Sequence, residues 1–287
     1  MGSFRGHALP GSFYIVTSLW WLANVYRIHS KHLTGAAIPF KPCTWFPIPV
    51  KWLRDHPIEP AIRIFILTVG IFLELVPENS WVLVGNGDEF VEKHLNNYAH
   101  AAMYAVFMIW SVVETLQFYK ITQLPTCSEH VFGSIALFVE GMLFFFHLEG
   151  RPKLDQLLHS ILYIIVFMSA LVMLLEAWMK NSFLLQVIRS SLFLLQGNWF
   201  LQIAHSLHGS RPWKNTKTNR EFVSIVFAWH IIGVLLLIML GFVAISIKSR
   251  GCHCRPTRNS PSLEEIEVHR ICDVDFAERR SLMDEQE

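Results

Sequence analysis

Residues 222–247 read FVSIVFAWHIIGVLLLIMLGFVAISI and contain no Asp, Glu, Lys or Arg. A helix needs about 20 mainly apolar residues to cross the hydrocarbon core of a bilayer, so this stretch is long enough to do so. A charged residue at the centre of such a helix costs about 2.5–3.5 kcal/mol on insertion scales, which makes a long uncharged stretch informative. The stretch predicts a transmembrane helix.

Six further stretches of the chain share this character. Only two of them contain a charged residue, which is Glu74 in one and Glu140 in the other. None alternates apolar and polar residues with period two, as the strands of a membrane β-barrel do. We therefore predict an all-α fold, a polytopic membrane bundle of seven transmembrane helices within residues 1–247. The six stretches are residues 6–26, 64–77, 94–113, 130–148, 156–175 and 190–210.

The composition of the chain agrees with a membrane environment. Of its 287 residues, 52% are hydrophobic and 16% are charged, whereas soluble proteins average about 25% charged residues. The formal net charge is +1 and no extended basic cluster is present, which excludes nucleic-acid binding because that function needs a basic surface. The partner that the sequence predicts is the lipid bilayer.

The distribution of basic residues predicts the orientation of the bundle. Loops rich in Lys and Arg remain in the cytosol, and seven spans put the first loop and the segment after the last span on the same side. Both are basic, so we predict an N-terminus that is outside or lumenal and a C-terminus that is cytosolic, although the basic loop at 211–220 disagrees. All five cysteines fall on the predicted cytosolic side, where thiols stay reduced. The basic residues are Arg27, Lys31, Lys41, Lys51, Arg54, Lys248, Arg250, Arg255 and Arg258.

Residues 248–287 form a polar segment with few aromatic residues, and we predict a disordered cytosolic tail. Cys252 and Cys254 lie just beyond the last span, where they are candidates for lipidation by palmitoylation, with unmodified thiols as the alternative. The sequence from Glu278 to Met283 resembles an acidic-dileucine sorting signal, which would bind sorting adaptors.

Ionisable groups inside the spans are candidates for functional residues. With the predicted topology, six of them form a polar funnel that opens to the outer side. Glu140 and His147 are seven residues apart, hence on one helix face, and Asp155 and His159 share a face at spacing i, i+4. On the inner side we find only Glu114 and Glu176, so we expect no matching inner layer. The six are His100, Glu140, His147, Asp155, His159 and His230, and Gln196, Asn198 and Gln202 could line the funnel as well.

Four kinds of chemistry fit this cluster. Imidazoles and a carboxylate can bind zinc, and an open position would let Glu140 or Asp155 activate water. A pair of histidines can bind haem, although one histidine layer allows at most one haem. The cluster could also relay protons or bind a ligand in a receptor or transporter. In the fourth interpretation the cluster is an interhelical hydrogen-bond network that only stabilises the bundle.

Five motifs stand out, namely GHALPG at residues 6–11, FVEGMLFFFH at 138–147, LDQLLH at 154–159, RSSLFLLQGNWFLQ at 189–202, and Trp229-His230. They resemble the transmembrane protein 45 family, which includes the transmembrane epididymal proteins. The resemblance implies a multi-pass protein of the Golgi and endosomal system or of the plasma membrane, with a poorly defined activity. His205 and His208 lie outside the family-like motifs, so we do not retain this pair as metal ligands.

The sequence thus predicts an integral membrane protein whose outward-facing cluster is structural or binds a ligand or a metal. Two alternatives remain open. The protein could be an intramembrane zinc-dependent hydrolase that acts on a lipid-like substrate, or a trafficking or scaffold protein that acts through its cytosolic tail.

Overall fold

The computed structural model describes residues 3–33, 43–85, 89–179 and 182–253. Within these residues the protein is helical, with seven α-helices and a short 3-10 turn at Pro77–Asn79. Each helix contains all or most of one low-charge stretch, which confirms the predicted all-α class. The helices are α1 (Phe4–Leu33), α2 (Ile58–Leu75), α3 (Glu92–Phe118), α4 (Ser128–Phe146), α5 (Lys153–Trp178), α6 (Phe183–His208) and α7 (Lys217–His253).

Local sequence sets several helix starts. Helix α5 follows Pro152 and carries Asp155 in its first turn, where a negative charge is favoured by the helix dipole. Helix α6 is capped by Ser182, whose hydroxyl oxygen accepts a hydrogen bond of 3.3 Å from the backbone N–H of Leu185. Helix α4 follows Cys127, which adopts the left-handed conformation with φ of 63°. These starts fix the register of the helices that carry the polar side chains described below.

Helix α6 lies at the centre of the bundle and packs against α1, α5 and α7, while α4 packs on α5 and α3, and α2 packs on α3. The contact between α1 and α6 is close because glycines face each other: a Cβ atom at Gly197 would lie 2.8 Å from the carbonyl oxygen of Gly11. Small residues of this kind let the backbones of membrane helices approach. Trp199 of α6 is fully buried in the resulting core.

Four of the helices are long and apolar enough to cross a membrane, namely α3, α4, α5 and the part of α7 at Lys217–Lys248. Helix α6 falls short of this criterion because of polar residues such as Gln186, Arg189 and Gln196, yet these side chains have no solvent exposure. Conversely, α7 presents large apolar side chains outward, with Leu240 65% exposed. This distribution, with polar groups inside and apolar groups outside, is that of a membrane protein.

The predicted tail lies almost entirely outside the described residues. Helix α7 continues to His253, and residues 254–287 are beyond the described part of the chain. The candidate lipidation sites fall there too, since Cys254 and the side chain of Cys252 are not described. The lipidation and sorting predictions therefore stay predictions.

Candidate functional site

A buried carboxyl group occupies the middle of the bundle. Glu140 of α4 is 1% exposed, and its two carboxylate oxygens accept hydrogen bonds of 3.0 and 3.1 Å from the hydroxyl of Tyr14 in α1. The side-chain amide of Gln196 in α6 donates a third hydrogen bond of 3.0 Å to the Oε1 atom. We call these three residues the Glu140 centre. Three helices that are distant in sequence are joined here by one carboxyl group.

A second polar group lies seven residues earlier on α1. His7 Nε2 is 3.3 Å from His159 Nε2, and the Nδ1 atom of His159 is 2.7 Å from a carboxylate oxygen of Asp155. Arg151 extends the group, with its Nη1 atom 3.1 Å from the other oxygen of Asp155 and its Nη2 atom in a very short contact with His147. We call these five residues the His–Asp layer. The predicted pair of Asp155 and His159 does share a helix face.

The other predicted site residues lie apart from this layer. His100 Nδ1 is 3.0 Å from a carboxylate oxygen of Glu74, so this contact joins α3 to α2. His230 Nε2 is 3.3 Å from the side-chain carbonyl oxygen of Gln202, and its ring packs edge-on against Trp199 with centroids 5.5 Å apart. Each of the two histidines has a partner of its own, and neither is paired with Glu140.

The six predicted ligands therefore belong to four hydrogen-bonded groups. Among the described side chains, no three of the six bring ligand atoms within 4.8 Å of one another. His208 does lie near the His–Asp layer, with its ring centroid 5.3 Å from that of His7, while His205 packs against Phe4. The contacts described above are mainly pairs that cross-link helices. Among these pairs, His7 and His159 could share a ligand.

The expectation that no inner polar layer exists is wrong. At the opposite end of the helices, the Nε atom of Arg189 lies 2.9 Å from Glu176, and His130 Nε2 lies 3.6 Å from the same carboxylate oxygen. The guanidinium of Arg189 also stacks over the ring of Trp21, 4.5 Å from its centroid. All three ionisable side chains are at most 1% exposed. We call Glu176, Arg189 and His130 the Arg–Glu layer.

A neighbouring ion-pair cluster continues this layer towards α2 and α3. The Nη2 atom of Arg63 lies 3.1 Å from Glu114 and 3.4 Å from Glu59, and it stacks over Trp110 at 4.4 Å from the ring centroid. Trp21 donates a hydrogen bond of 2.8 Å to Glu59. Trp21 thus contacts both Arg189 and Glu59, a partner of Arg63, and so connects the cluster to the Arg–Glu layer.

Sequence reasoning missed both arginines for the same reason. Arg63 and Arg189 directly precede the low-charge stretches that begin at residues 64 and 190, so the rule that delimits a span by its charges placed them outside the membrane. The structure instead has them inside helices, 5% and 0% exposed. The signal available in the sequence was the predicted topology. It puts both arginines at the inner ends of their spans, on the same side of the membrane as Glu114 and Glu176.

The chain is similar to several known proteins. A model described as "Family of unknown function (DUF716)" matches residues 127–243, which include α4, α5, α6 and much of α7. Transmembrane epididymal protein 1A of Mus musculus is 24% identical over 278 residues, which cover 93% of this chain and 88% of that protein. Transmembrane epididymal protein 1 of Rattus norvegicus is 24% identical over 269 residues, or 88% of this chain and 84% of the relative.

The human protein of the same name, transmembrane epididymal protein 1 of Homo sapiens, is 27% identical over 132 residues, which cover 44% of this chain and 47% of that protein. The resemblance predicted from the sequence motifs is therefore confirmed: from residue 127 to residue 243 the chain matches the DUF716 family, and along most of its length it is similar to the transmembrane epididymal proteins.

Proposed function

We propose that all seven helices cross the membrane, with the N-terminus outside or in the lumen and the C-terminus in the cytosol. The polar residues that lower the hydropathy of α6 are buried against α1 and α5, so they do not oppose membrane insertion of the assembled bundle. Cys43 and Cys127 lie near the Arg–Glu layer, and neither forms a disulfide within the described residues, which supports a cytosolic location for this end.

We infer further that the protein moves protons within the membrane and that Glu140 is the proton-binding group. One observation carries this proposal. Both carboxylate oxygens of Glu140 face neutral donors, the hydroxyl of Tyr14 and the amide of Gln196, and in the described residues no Lys or Arg forms an ion pair with it. A buried acid without a counter-ion is stable when protonated, so it is suited to bind and release a proton.

The arrangement along α1 supports a path to this acid from both ends of the bundle. His7, Tyr14 and Trp21 are spaced by seven residues, about 10 Å per step along the helix, and they contact the His–Asp layer, the Glu140 centre and the Arg–Glu layer. Histidines exchange protons near neutral pH. The ring of Phe200 packs against both His7 and Tyr14, and in the proposed relay it is the barrier between the outer group and the acid.

The expected effect of Glu140→Gln is the loss of proton movement. Glutamine can still accept a hydrogen bond from Tyr14 but cannot exchange a proton, so the bundle remains folded while the relay stops. The measurement is the uptake of protons into proteoliposomes that contain a pH-sensitive dye, driven by a potassium diffusion potential. Flux should fall to the rate of protein-free liposomes.

The matched control is Glu149→Gln, which alters an exposed acid on the loop after α4 and should leave the flux unchanged. A wild-type flux no greater than that of empty liposomes would contradict the proposal. So would a Glu140→Gln variant that conducts protons normally.

A second candidate function is metal binding at the His–Asp layer. The two Nε2 atoms of His7 and His159 are 3.3 Å apart, and two imidazole ligands of tetrahedral zinc, with bonds of about 2.0–2.1 Å, are separated by about 3.3 Å. Asp155 at Nδ1 of His159 would then orient the ligand, as carboxylates commonly do in zinc sites. The alternative of a zinc-dependent hydrolase would use such an ion to activate water.

If this layer binds zinc, the wild-type protein purified in detergent should contain zinc that is lost in the variant His159→Gln. The readout is elemental analysis of monodisperse protein. His205→Gln serves as the control, because His205 is outside the His–Asp layer and packs against Phe4. Equal zinc content in the wild type and in His159→Gln would rule out this site.

A further inference from the structure

Three potential metal ligands meet at the start of α4, on the side of the Arg–Glu layer. Cys127, Glu129 and His130 each offer one ligand atom, and these atoms all lie within 4.8 Å of one another. The Oε1 atom of Glu129 is 3.2 Å from Nδ1 of His130. That separation is close to the distance of about 3.3 Å between two ligand atoms on a tetrahedral zinc ion.

The backbone at Cys127 brings the thiol to this position. Cys127 has φ of 63° and ψ of 17°, in the left-handed region that residues other than Gly, Asn and Asp seldom adopt. It directly precedes the first turn of α4, which carries Glu129 and His130. A strained residue of this kind is often retained where it serves a site.

The surroundings of His130 provide an independent indication of a ligand. Its side chain has no exposure, and its Nε2 atom makes no hydrogen bond within the described residues. This atom faces Glu176 Oε2 at 3.6 Å, and Glu176 is held in turn by Arg189. A histidine that binds a metal through one ring nitrogen typically directs the other towards a carboxylate, which orients the ring.

We propose that Cys127, Glu129 and His130 form a binding site for a zinc-like divalent cation at the cytosolic end of α4. The thiolate, carboxylate and imidazole are the ligand types that zinc prefers, and the two negative ligands balance the charge of the ion. Three protein ligands leave a fourth position for water or a partner's side chain. The site is separate from the His–Asp layer, which lies at the other end of the bundle.

Titration with Co²⁺ of the full-length protein, purified in detergent and stripped with a chelator, tests this assignment. Binding through Cys127 should produce the near-ultraviolet charge-transfer absorption of a Co²⁺–thiolate bond, which saturates at one ion per chain and disappears when Zn²⁺ is added. In Cys127→Ser the absorption should be absent. In Glu129→Gln the absorption should appear only at higher Co²⁺ concentrations, because one ligand is lost.

Two variants serve as controls. Cys43→Ser removes the other thiol of the described bundle and should keep the absorption, and His159→Gln should also keep it, which separates this site from metal binding in the His–Asp layer. Size-exclusion chromatography and circular dichroism establish that each variant is folded. A wild-type protein without the absorption overturns the proposal, and so does an absorption that persists in Cys127→Ser.

Discussion

Arg189→Met is expected to lower the free energy of unfolding by about 3–5 kcal/mol, the cost of removing one partner of a buried ion pair. Arg189 is fully buried, and its Nε atom pairs with Glu176 at 2.9 Å. Its guanidinium also donates a hydrogen bond to the carbonyl oxygen of Cys43 and stacks over Trp21. Methionine fills similar volume but leaves the charge of Glu176 buried without its cation. Unfolding of the detergent-solubilised protein, followed by circular dichroism, measures the loss.

The double variant Arg189→Met/Glu176→Gln provides the test of the cause. If the unpaired carboxylate is responsible, neutralising it should restore part of the stability, since the two positions are directly coupled. Arg211→Met is the matched control, because Arg211 is exposed and a surface substitution changes stability by at most about 0.5 kcal/mol. A single variant as stable as the wild type would show that the ion pair contributes nothing.

Gly197→Ala is expected to separate α1 from α6 and to destabilise the bundle by about 1–3 kcal/mol, the usual cost of overpacking. The added Cβ atom would lie 2.8 Å from the carbonyl oxygen of Gly11 and 2.9 Å from the backbone nitrogen of Ile15. Both are backbone atoms, so no side-chain rotation can relieve the contact. Because α1 carries Tyr14 and α6 carries Gln196, the shift should also disturb the Glu140 centre.

The control for this substitution is Gly233→Ala in α7, where an added Cβ atom would meet no atom within 4 Å. Alanine favours the helix over glycine by about 1 kcal/mol, so this variant should be as stable as the wild type or more stable. Thermal unfolding in detergent compares the two. A Gly197→Ala variant that is as stable as Gly233→Ala would mean that the two helices do not pack closely.

The seven helices could be predicted because the signal for each is local. A long apolar stretch with little charge favours lipid over water, whichever helices surround it. Every such stretch falls largely or wholly within a helix. Helix α6 is one of the helices that do not resemble a span by composition, because it carries polar residues that its neighbours bury. Its uncharged stretch could be identified from the sequence, whereas its central position could not.

The candidate site was predicted only in part. Asp155 and His159 could be paired because helical geometry alone brings residues at i, i+4 together. The contact of His159 with His7 joins α5 to α1 across 152 positions, and no spacing rule predicts such a distance. The same holds for Tyr14, which has no charge to mark it and yet donates a hydrogen bond from its hydroxyl to Glu140.

The sequence by itself determined that the chain is a helical membrane protein, because charge is costly in lipid and the long apolar stretches largely lack it. For the same reason it marked Glu140, an acid within an apolar stretch, as unusual. The tertiary structure alone decided which groups meet. It gave Glu140 neutral partners, brought Arg63 and Arg189 inside the bundle next to acids, and placed His130 beside Glu176. The physical reason is that a side chain satisfies its hydrogen bonds and charge with whatever the packed helices bring beside it, and helix packing depends on contacts far apart in the sequence.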